Sequence, residues 1–183
     1  MSSSSSKEAF MKLLRVIYGV ILIILIFAGL NQPVHSSEYK YESAAIVDRV
    51  LDGDTIKVRL HDGRVEKVRI YYIDAPEYGI YYSTERVQPF GFESYIALDN
   101  LIRGKEVLLK HNGKRTYGRL LASVYIDDTS VAEHLVSEGL AWHWERYSDS
   151  TVLSDLQNKA QLKGVGIWSH SEPLEPWKFR RLN

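Results

Sequence analysis

The sequence contains no cysteine among its 183 residues. Disulfide bonds and thiolate metal sites are therefore excluded, and any bound metal must be held by oxygen or by histidine nitrogen. The chain also lacks net charge, because 23 lysines and arginines balance 23 aspartates and glutamates. A strongly basic composition, the usual mark of a nucleic-acid-binding protein, is absent. Any basic binding surface must therefore be local.

The N-terminal stretch differs from the rest of the chain. Lys12 and Arg15 precede an uncharged apolar run at residues 16–30, and a polar segment ending at Ser36 follows it. This layout predicts a secretory signal peptide that is cleaved after Ser36. The alternative is an uncleaved membrane anchor, because the uncharged run continues to Ser37. Positive charges before the run and not after it place the N-terminus on the cytoplasmic side.

Both alternatives predict export, either secretion or anchoring on the outer face of the cytoplasmic membrane. The first 36 residues contain three cations and one anion, so residues 37–183 carry 20 basic and 22 acidic side chains. Composition and pattern suggest four segments. They are a signal peptide or anchor at 1–36, a linker at 37–43, a folded domain at 44–169 and a loosely packed C-terminal tail at 170–183.

Alternating apolar and polar residues predict a mainly β domain. Five strands are expected, with an Asp-Gly hairpin signal between the second and third, at 44–51, 55–60, 65–73, 106–110 and 118–126. Helical spacing of apolar residues predicts three helices, at 90–103, 130–139 and 150–163. Five short strands with three helices between and after them are typical of an α+β fold, a five-stranded Greek-key barrel of the OB type.

Acidic residues stand at the ends of the predicted strands. Asp54 precedes the second strand, Asp74 ends the third, and Glu77 follows the proline after it. Strand ends from separate hairpins can converge on one rim, where two carboxylates would repel each other unless a cation lay between them. Hard oxygen ligands at a roomy site suit Ca²⁺ and, less strictly, Mg²⁺. Glu77 could orient or deprotonate a water. The alternative is that these are ordinary polar turns, which is the interpretation given to Asp52.

Two arginines complete a candidate phosphodiesterase site. Arg69 lies on the predicted third strand, and Arg119 lies at the start of the last one. A guanidinium can hold phosphate oxygens with two hydrogen bonds in one plane, and thereby stabilise the charge that develops during phosphodiester hydrolysis. Each arginine taken singly is more often a solvated strand residue.

Aromatic side chains supply a possible platform for bases. Tyr117 and Tyr147 are the favoured candidates, together with Trp144, which shares a face with Trp142 in an extended segment. Aromatic rings beside a phosphate site can stack on bases. His143 is the one histidine near this aromatic segment, and a structural role is favoured for it over a catalytic one.

Five ordered motifs give the chain a family resemblance between about Ala44 and Ser169. The quoted residues are Asp52-Gly53-Asp54-Thr55, the run from Val68 to Glu77, Tyr117-Gly118-Arg119, the helical stretch from Val131 to Ala141, and the closing Gly166-Ile167-Trp168-Ser169. In this order the motifs resemble those of the staphylococcal nuclease (thermonuclease) family. The resemblance implies a Ca²⁺-dependent endonuclease that acts on single- and double-stranded DNA and on RNA, with little sequence preference. It also implies 3′-phosphate products.

The resemblance further implies roles for individual positions. Asp54 and Asp74 would be side-chain ligands of Ca²⁺, and the backbone carbonyl of Ala75 would be a third ligand. The remaining roles follow in the same way: Arg69 and Arg119 would bind phosphate and stabilise the transition state, Glu77 would act on the attacking water, and Tyr117 would lie beside the nucleotide phosphate.

Two positions depart from the family pattern. Ala75 stands where many members have threonine, and Thr116 stands where a basic residue is frequent. The second departure, with the slightly acidic domain, predicts weaker substrate binding and sensitivity to salt. Two alternatives remain open: a catalytically silent module that binds nucleic acid or protein, and a membrane-anchored scaffold with a structural calcium site. No protein partner is implied, and a membrane is a partner only if the N-terminal segment stays uncleaved.

Overall fold

The computed structural model of the chain describes residues 39–78 and 87–182. The expected signal peptide or anchor lies outside the described residues. Within these two ranges, no helix is both long and apolar enough to span a membrane.

The described residues form nine strands and four α-helices. The strands are β1 (Tyr41–Asp52), β2 (Thr55–Leu60), β3 (Val65–Ile70), β4 (Ile73–Asp74), β5 (Glu106–His111), β6 (Arg115–Thr116), β7 (Arg119–Ile126), β8 (Thr129–Ser130) and β9 (Trp142–His143). The helices are α1 (Gly91–Ile102), α2 (Val131–Ser137), α3 (Thr151–Lys163) and α4 (Pro176–Leu182). Short 3₁₀ turns lie at Glu145–Tyr147 and Gly166–Ser169.

Five strands close into a barrel. They lie in the order β3, β2, β1, β5, β7 with antiparallel neighbours. Parallel pairing of β3 with β7, in which Val68 faces Leu120 and Ile70 faces Ala122, joins the two ends. Closure leaves no free edge between these strands. The predicted α+β fold with a five-stranded OB-type barrel is therefore confirmed.

The barrel interior is filled by the inward-facing residues of the alternating strands. Ile56 and Val58 on β2 and Val68 on β3 are fully buried. Leu98 of α1 and Leu135 of α2 are also buried and extend the same core beyond the barrel. The period-two pattern in the strands thus places every second side chain in one continuous apolar interior.

Two strand ends differ from the prediction. Strand β1 begins at Tyr41 rather than Ala44, because residues 41–43, expected in the linker, pair with 109–111 of β5. The third strand stops at Ile70, since Tyr72 has a φ of 69° that breaks the extended backbone. The chain then continues as β4, which pairs with β9.

The sequence suggested a loosely packed C-terminal tail. This prediction is wrong, because the tail contains the fourth helix. Pro176 at its start is buried. The ring of Trp177 lies 5.9 Å from that of Trp142, edge to face. A proline and an aromatic ring in the tail thus anchor a short helix against the domain.

The backbone of the turn after α2 touches the backbone of the last 3₁₀ turn. The amide of Ile167 donates to the carbonyl of Gly139 at 2.8 Å. Gly139 has a φ of 66°, and a Cβ on it would lie 2.3 Å from the carbonyl oxygen of Val165. Only glycine meets both requirements at this position.

Gly139→Ala should therefore destabilise the fold by about 2–5 kcal/mol, the left-handed backbone and the steric clash acting together. Gly104→Ala is the matched control, because Gly104 has a φ of 72° with no atom within 4 Å of an added Cβ. It should cost about 1–2 kcal/mol. Urea unfolding of the wild type and the two variants measures both losses of stability. Equal losses would show that the close approach at Gly139 does not contribute to the cost of the substitution.

Candidate active site

A cavity of about 940 Å³ collects the residues that the sequence singled out. Its walls come from the β1–β2 turn, from β3, from the segment after β4, from β7, from the turn after β9 and from α4. The predicted site residues that line it are Asp54, Arg69, Glu77, Tyr117, Arg119, Trp144 and Tyr147. The side chains of Asp74 and Ala75 lie beneath its surface and are buried.

The centre of the cavity wall is an ion-pair cluster around Arg69. Its Nη2 donates to Asp74 Oδ1 at 2.6 Å. Its Nη1 forms an ion pair with Asp54 Oδ2 at 2.6 Å. The geometry of this contact is not that of a hydrogen bond. All three side chains are buried, at 6% for Arg69, 5% for Asp54 and 0% for Asp74. Such buried charges persist only when each is compensated.

Asp54 also joins two separate parts of the backbone. Its Oδ2 accepts a hydrogen bond from the amide of Ala75 at 2.9 Å. Its own carbonyl accepts one from Ile70 at 2.8 Å. The β1–β2 turn is thereby held against both β3 and the segment after β4, which brings the two predicted carboxylate clusters together.

Arg119 reaches the same cluster through a hydroxyl. Its Nη1 donates to Thr55 Oγ1 at 3.3 Å, and that hydroxyl donates to Asp54 Oδ1 at 2.9 Å. Within the described part of the chain, Arg119 makes no ion pair with a carboxylate. Its guanidinium therefore faces the cavity with hydrogen-bond donors available to an anion.

Glu77 is held by its backbone and by its side chain. Its amide donates to Gln88 Oε1 at 3.2 Å, and the Gln88 amide donates to the Glu77 carbonyl at 2.9 Å. Its carboxylate is paired with Arg180 of α4. Burial raises the pKa of Glu77, and the hydrogen bond from Arg180 opposes that rise.

The sequence did not indicate Arg180 as a site residue. Its Nη2 donates to Asp74 Oδ2 at 2.7 Å, and its Nη1 donates to Asp74 Oδ1 at 3.1 Å. The two residues are 106 positions apart. The basic, tryptophan-containing tail was the available signal, but nothing in its pattern directs an arginine to this cavity. Gln88, with an exposure of 3%, had no sequence signal.

Asp52 lies in the site and is more than a turn residue. Its Oδ1 accepts hydrogen bonds from the amides of Gly53 at 2.8 Å and Tyr78 at 3.3 Å. Burial, with the nearby charges of Asp54 and Glu77, raises the pKa of Asp52 to about 8. The expected turn is present, but the side chain also lines the cavity.

The donor set fits a hard divalent cation in its chemistry. Asp54 and Asp74 are buried carboxylates of one cluster, and burial raises the pKa of Asp74 even though Arg69 and Arg180 oppose it. A nearby cation would favour their ionised forms. Among the described residues, no three acidic or histidine side chains stand as a ready-made metal cage. In this arrangement the guanidiniums of Arg69 and Arg180 lie among the carboxylates.

Aromatic rings border the charged cluster. The Arg69 guanidinium lies 6.0 Å from the Trp144 ring centre, and Tyr147 meets that ring edge to face at 4.5 Å. Tyr117 is 95% exposed at the cavity edge. Its ring is thus available for a contact outside the fold, and stacking by these three residues stays a prediction.

His143 has the structural role that the sequence favoured. It is 2% exposed, and its ring nitrogens hydrogen-bond Ser148 Oγ at 2.9 Å and Ser154 Oγ at 3.2 Å. Burial lowers its pKa. The neutral ring therefore ties β9 to α3 and the preceding turn.

Known proteins are similar in sequence to this chain over most of the domain. A family model described as staphylococcal nuclease homologue matches residues 67–170. An uncharacterized endonuclease of Haemophilus influenzae is 36% identical over 135 residues, which cover 74% of this chain and 71% of that protein. An uncharacterized endonuclease of Escherichia coli O157:H7 is 37% identical over 135 residues, covering 73% and 82%. A micrococcal nuclease of Shigella flexneri is 32% identical over 148 residues, covering 75% and 80%.

The raised pKa of Asp52 predicts a loss of stability with rising pH when divalent cations are chelated. Between pH 3.8 and about 8 the folded protein retains a proton that the unfolded chain has lost. The unfolding free energy should therefore fall by up to about 1.4 kcal/mol per pH unit in this window. Asp52→Asn should reduce that decline, and the raised pKa of Asp74 and of Glu77 should account for the part that remains, as measured by urea unfolding at several pH values.

Asp155→Asn, at an exposed position on α3, is the control and should keep the wild-type pH dependence. Parallel curves for Asp52→Asn and wild type would contradict the assignment.

Proposed function

Since the chain belongs to the family of staphylococcal nuclease homologues and is a hydrolase of phosphodiester bonds, we propose that it is an exported, calcium-dependent endonuclease. The observation that carries this proposal is the convergence of Asp54, Arg69, Glu77 and Arg119 on one cavity. The carboxylates and guanidiniums that phosphodiester hydrolysis needs therefore lie in the same cavity. A polar turn or a solvated strand would not gather them.

The two arginines supply donors for phosphate oxygens. Arg119 has no ion-pair partner among the described residues, and Arg69 lines the same cavity while it is ion-paired with Asp54 and Asp74. Negative charge grows on the non-bridging oxygens as water attacks phosphorus, and two fixed guanidiniums stabilise it without reorganisation. Because Arg69 lies on a barrel strand and is buried, its position is set before the substrate arrives.

Glu77 is the group that acts on the attacking water, as a general base or by orienting it. It lines the cavity, and both hydrogen bonds to Gln88 fix its backbone. A carboxylate partly withdrawn from solvent is a stronger proton acceptor than an exposed one, because burial raises its pKa. Water held by Glu77 would attack opposite the leaving 5′-oxygen and leave a 3′-phosphate.

The calcium ion would be held by the side chains of Asp54 and Asp74 and by the backbone carbonyl of Ala75. The amide of Ala75 already donates to Asp54, so that the backbone at this position is fixed beside the cluster. Alanine in place of threonine leaves this carbonyl intact. A bound divalent cation supplies charge neutralisation at the phosphate and polarises its oxygens.

The substrates are single- and double-stranded DNA and RNA with little sequence preference. Phosphate contacts and stacking on Trp144, Tyr147 and the exposed Tyr117 do not depend on the identity of the base. The whole chain has 23 basic and 23 acidic side chains. Residues 37–183 contain 20 of the basic and 22 of the acidic ones and are therefore slightly acidic. Bulk charge therefore contributes little to binding, and activity should fall with added salt.

Export is proposed from the sequence of the N-terminal segment. Lys12 and Arg15 before the apolar run at 16–30 direct the following domain across the membrane. The protein is secreted if the segment is cleaved. It stays on the membrane and faces outward if the segment is not cleaved. In both cases the enzyme meets calcium and nucleic acid outside the cell.

The test is cleavage of labelled single-stranded DNA by the purified full chain, with Ca²⁺ or with chelator. We expect cleavage only with Ca²⁺. Arg119→Gln should lower kcat by about 10²–10³-fold, the cost of removing one transition-state donor. The control is Arg49→Gln, since Arg49 is exposed on β1 and does not line the cavity.

Absence of calcium-dependent cleavage would refute the proposal. Retained nucleic-acid binding without cleavage would instead favour the silent binding module.

A further inference from the structure

Helix α4 places a third arginine in the cavity, beyond the residues matched by the family model. The Arg180 guanidinium spans two carboxylates, donating to both oxygens of Asp74 at 2.7 and 3.1 Å and to Glu77 Oε1. Its planar fork can fix the relative orientation of both groups, which an ammonium cannot do. Asp74 has a second partner in Arg69, whereas within the described residues the Glu77 carboxylate is paired with Arg180.

The helix that carries Arg180 is attached firmly to the domain. Trp177 stacks parallel to Trp144, with 5° between the ring planes and 6.3 Å between centres, and it also touches Trp142. Pro176 is buried. An arginine on an anchored helix can hold another group in place, because its own backbone is fixed.

The same C-terminal segment is connected to the backbone of Glu77. Gln88 Nε2 donates to the carbonyl of Leu174 at 2.5 Å, while Gln88 exchanges two hydrogen bonds with Glu77. Gln88 is nearly fully buried, at 3% exposure. Glu77 is therefore linked to the C-terminal segment twice, once through its backbone and once through its carboxylate.

We propose that Arg180 is a positioning residue of the nuclease site, which holds the Glu77 carboxylate in the orientation needed to act on water. The inference rests on the proposed function, since it concerns the residue assigned to the attacking water. It extends the working site to the C-terminal helix. Arg180 acts through Glu77 and makes its contribution at the chemical step rather than in substrate binding.

The test compares Arg180→Gln with Arg181→Gln in the full chain at saturating Ca²⁺. Arg181 is the matched control, because it is the next residue, carries the same charge and is exposed. Arg180→Gln should lower kcat by about 10–100-fold, as expected for loss of a supporting hydrogen-bond partner, with KM little changed. Arg181→Gln should leave both near wild type. Unchanged or increased kcat in Arg180→Gln would overturn the proposal, an increase being the mark of a blocking residue.

A double-mutant cycle with Glu77→Gln separates positioning from direct action on the substrate. If Arg180 acts through Glu77, Arg180→Gln should cause little further loss of kcat in the Glu77→Gln background. A loss as large as that in the wild-type background would overturn the proposal. Arg180→Lys keeps the charge but not the planar fork, and should give an intermediate kcat; it also carries the test if Arg180→Gln does not fold.

Calcium binding gives a readout that does not depend on cleavage. Removal of the Arg180 charge from Asp74 should leave the calorimetric affinity for Ca²⁺ equal or higher. Weaker binding by a folded Arg180→Gln would overturn the proposal, because Arg180 would then be supporting the metal ligands. The two levels of failure are distinguishable: an inactive wild type refutes the proposed function and the inference with it, whereas an active wild type with a fully active Arg180→Gln refutes the inference alone.

Discussion

One buried guanidinium organises this site. Arg69 lies between Asp54 and Asp74, 2.6 Å from an oxygen of each, and all three side chains are almost fully withdrawn from solvent. Burial of two carboxylates is unfavourable unless cationic partners compensate them. The cluster therefore holds the β1–β2 turn and β4 against β3, which no local backbone preference would do. Arg119 reaches this arrangement through the hydroxyl of Thr55.

The barrel and the centre of the site could be predicted because their signals are local. Alternation of apolar residues gave the five strands, and the strand-terminal positions of Asp54 and Asp74 indicated a shared rim. Arg69 and Arg119 followed from their motifs, and the family match later included both within residues 67–170. Even so, the early end of the third strand escaped prediction, since it depends on the positive φ of Tyr72, a side chain that β-propensity favours in strands.

The remaining parts of the site arise from contacts between distant residues. Arg180 meets Asp74 across 106 positions, and Gln88 meets Leu174 across 86. Neither contact has a sequence pattern, because a lone arginine or glutamine is typical of a solvated surface. Asp52 illustrates the converse: its place in a turn was predicted, but the burial that raises its pKa comes from the tertiary structure. A tail that seemed peripheral thus becomes part of the site.

The central claim is that Arg69 compensates two buried carboxylates and so maintains the site. The most direct measurement is urea unfolding of Arg69→Gln beside Arg119→Gln, with divalent cations chelated. Breaking the buried pairs should cost Arg69→Gln about 3–5 kcal/mol. Arg119 makes no ion pair among the described residues, so Arg119→Gln should stay within about 0.5 kcal/mol of wild type. Equal stability of the two variants would contradict the account.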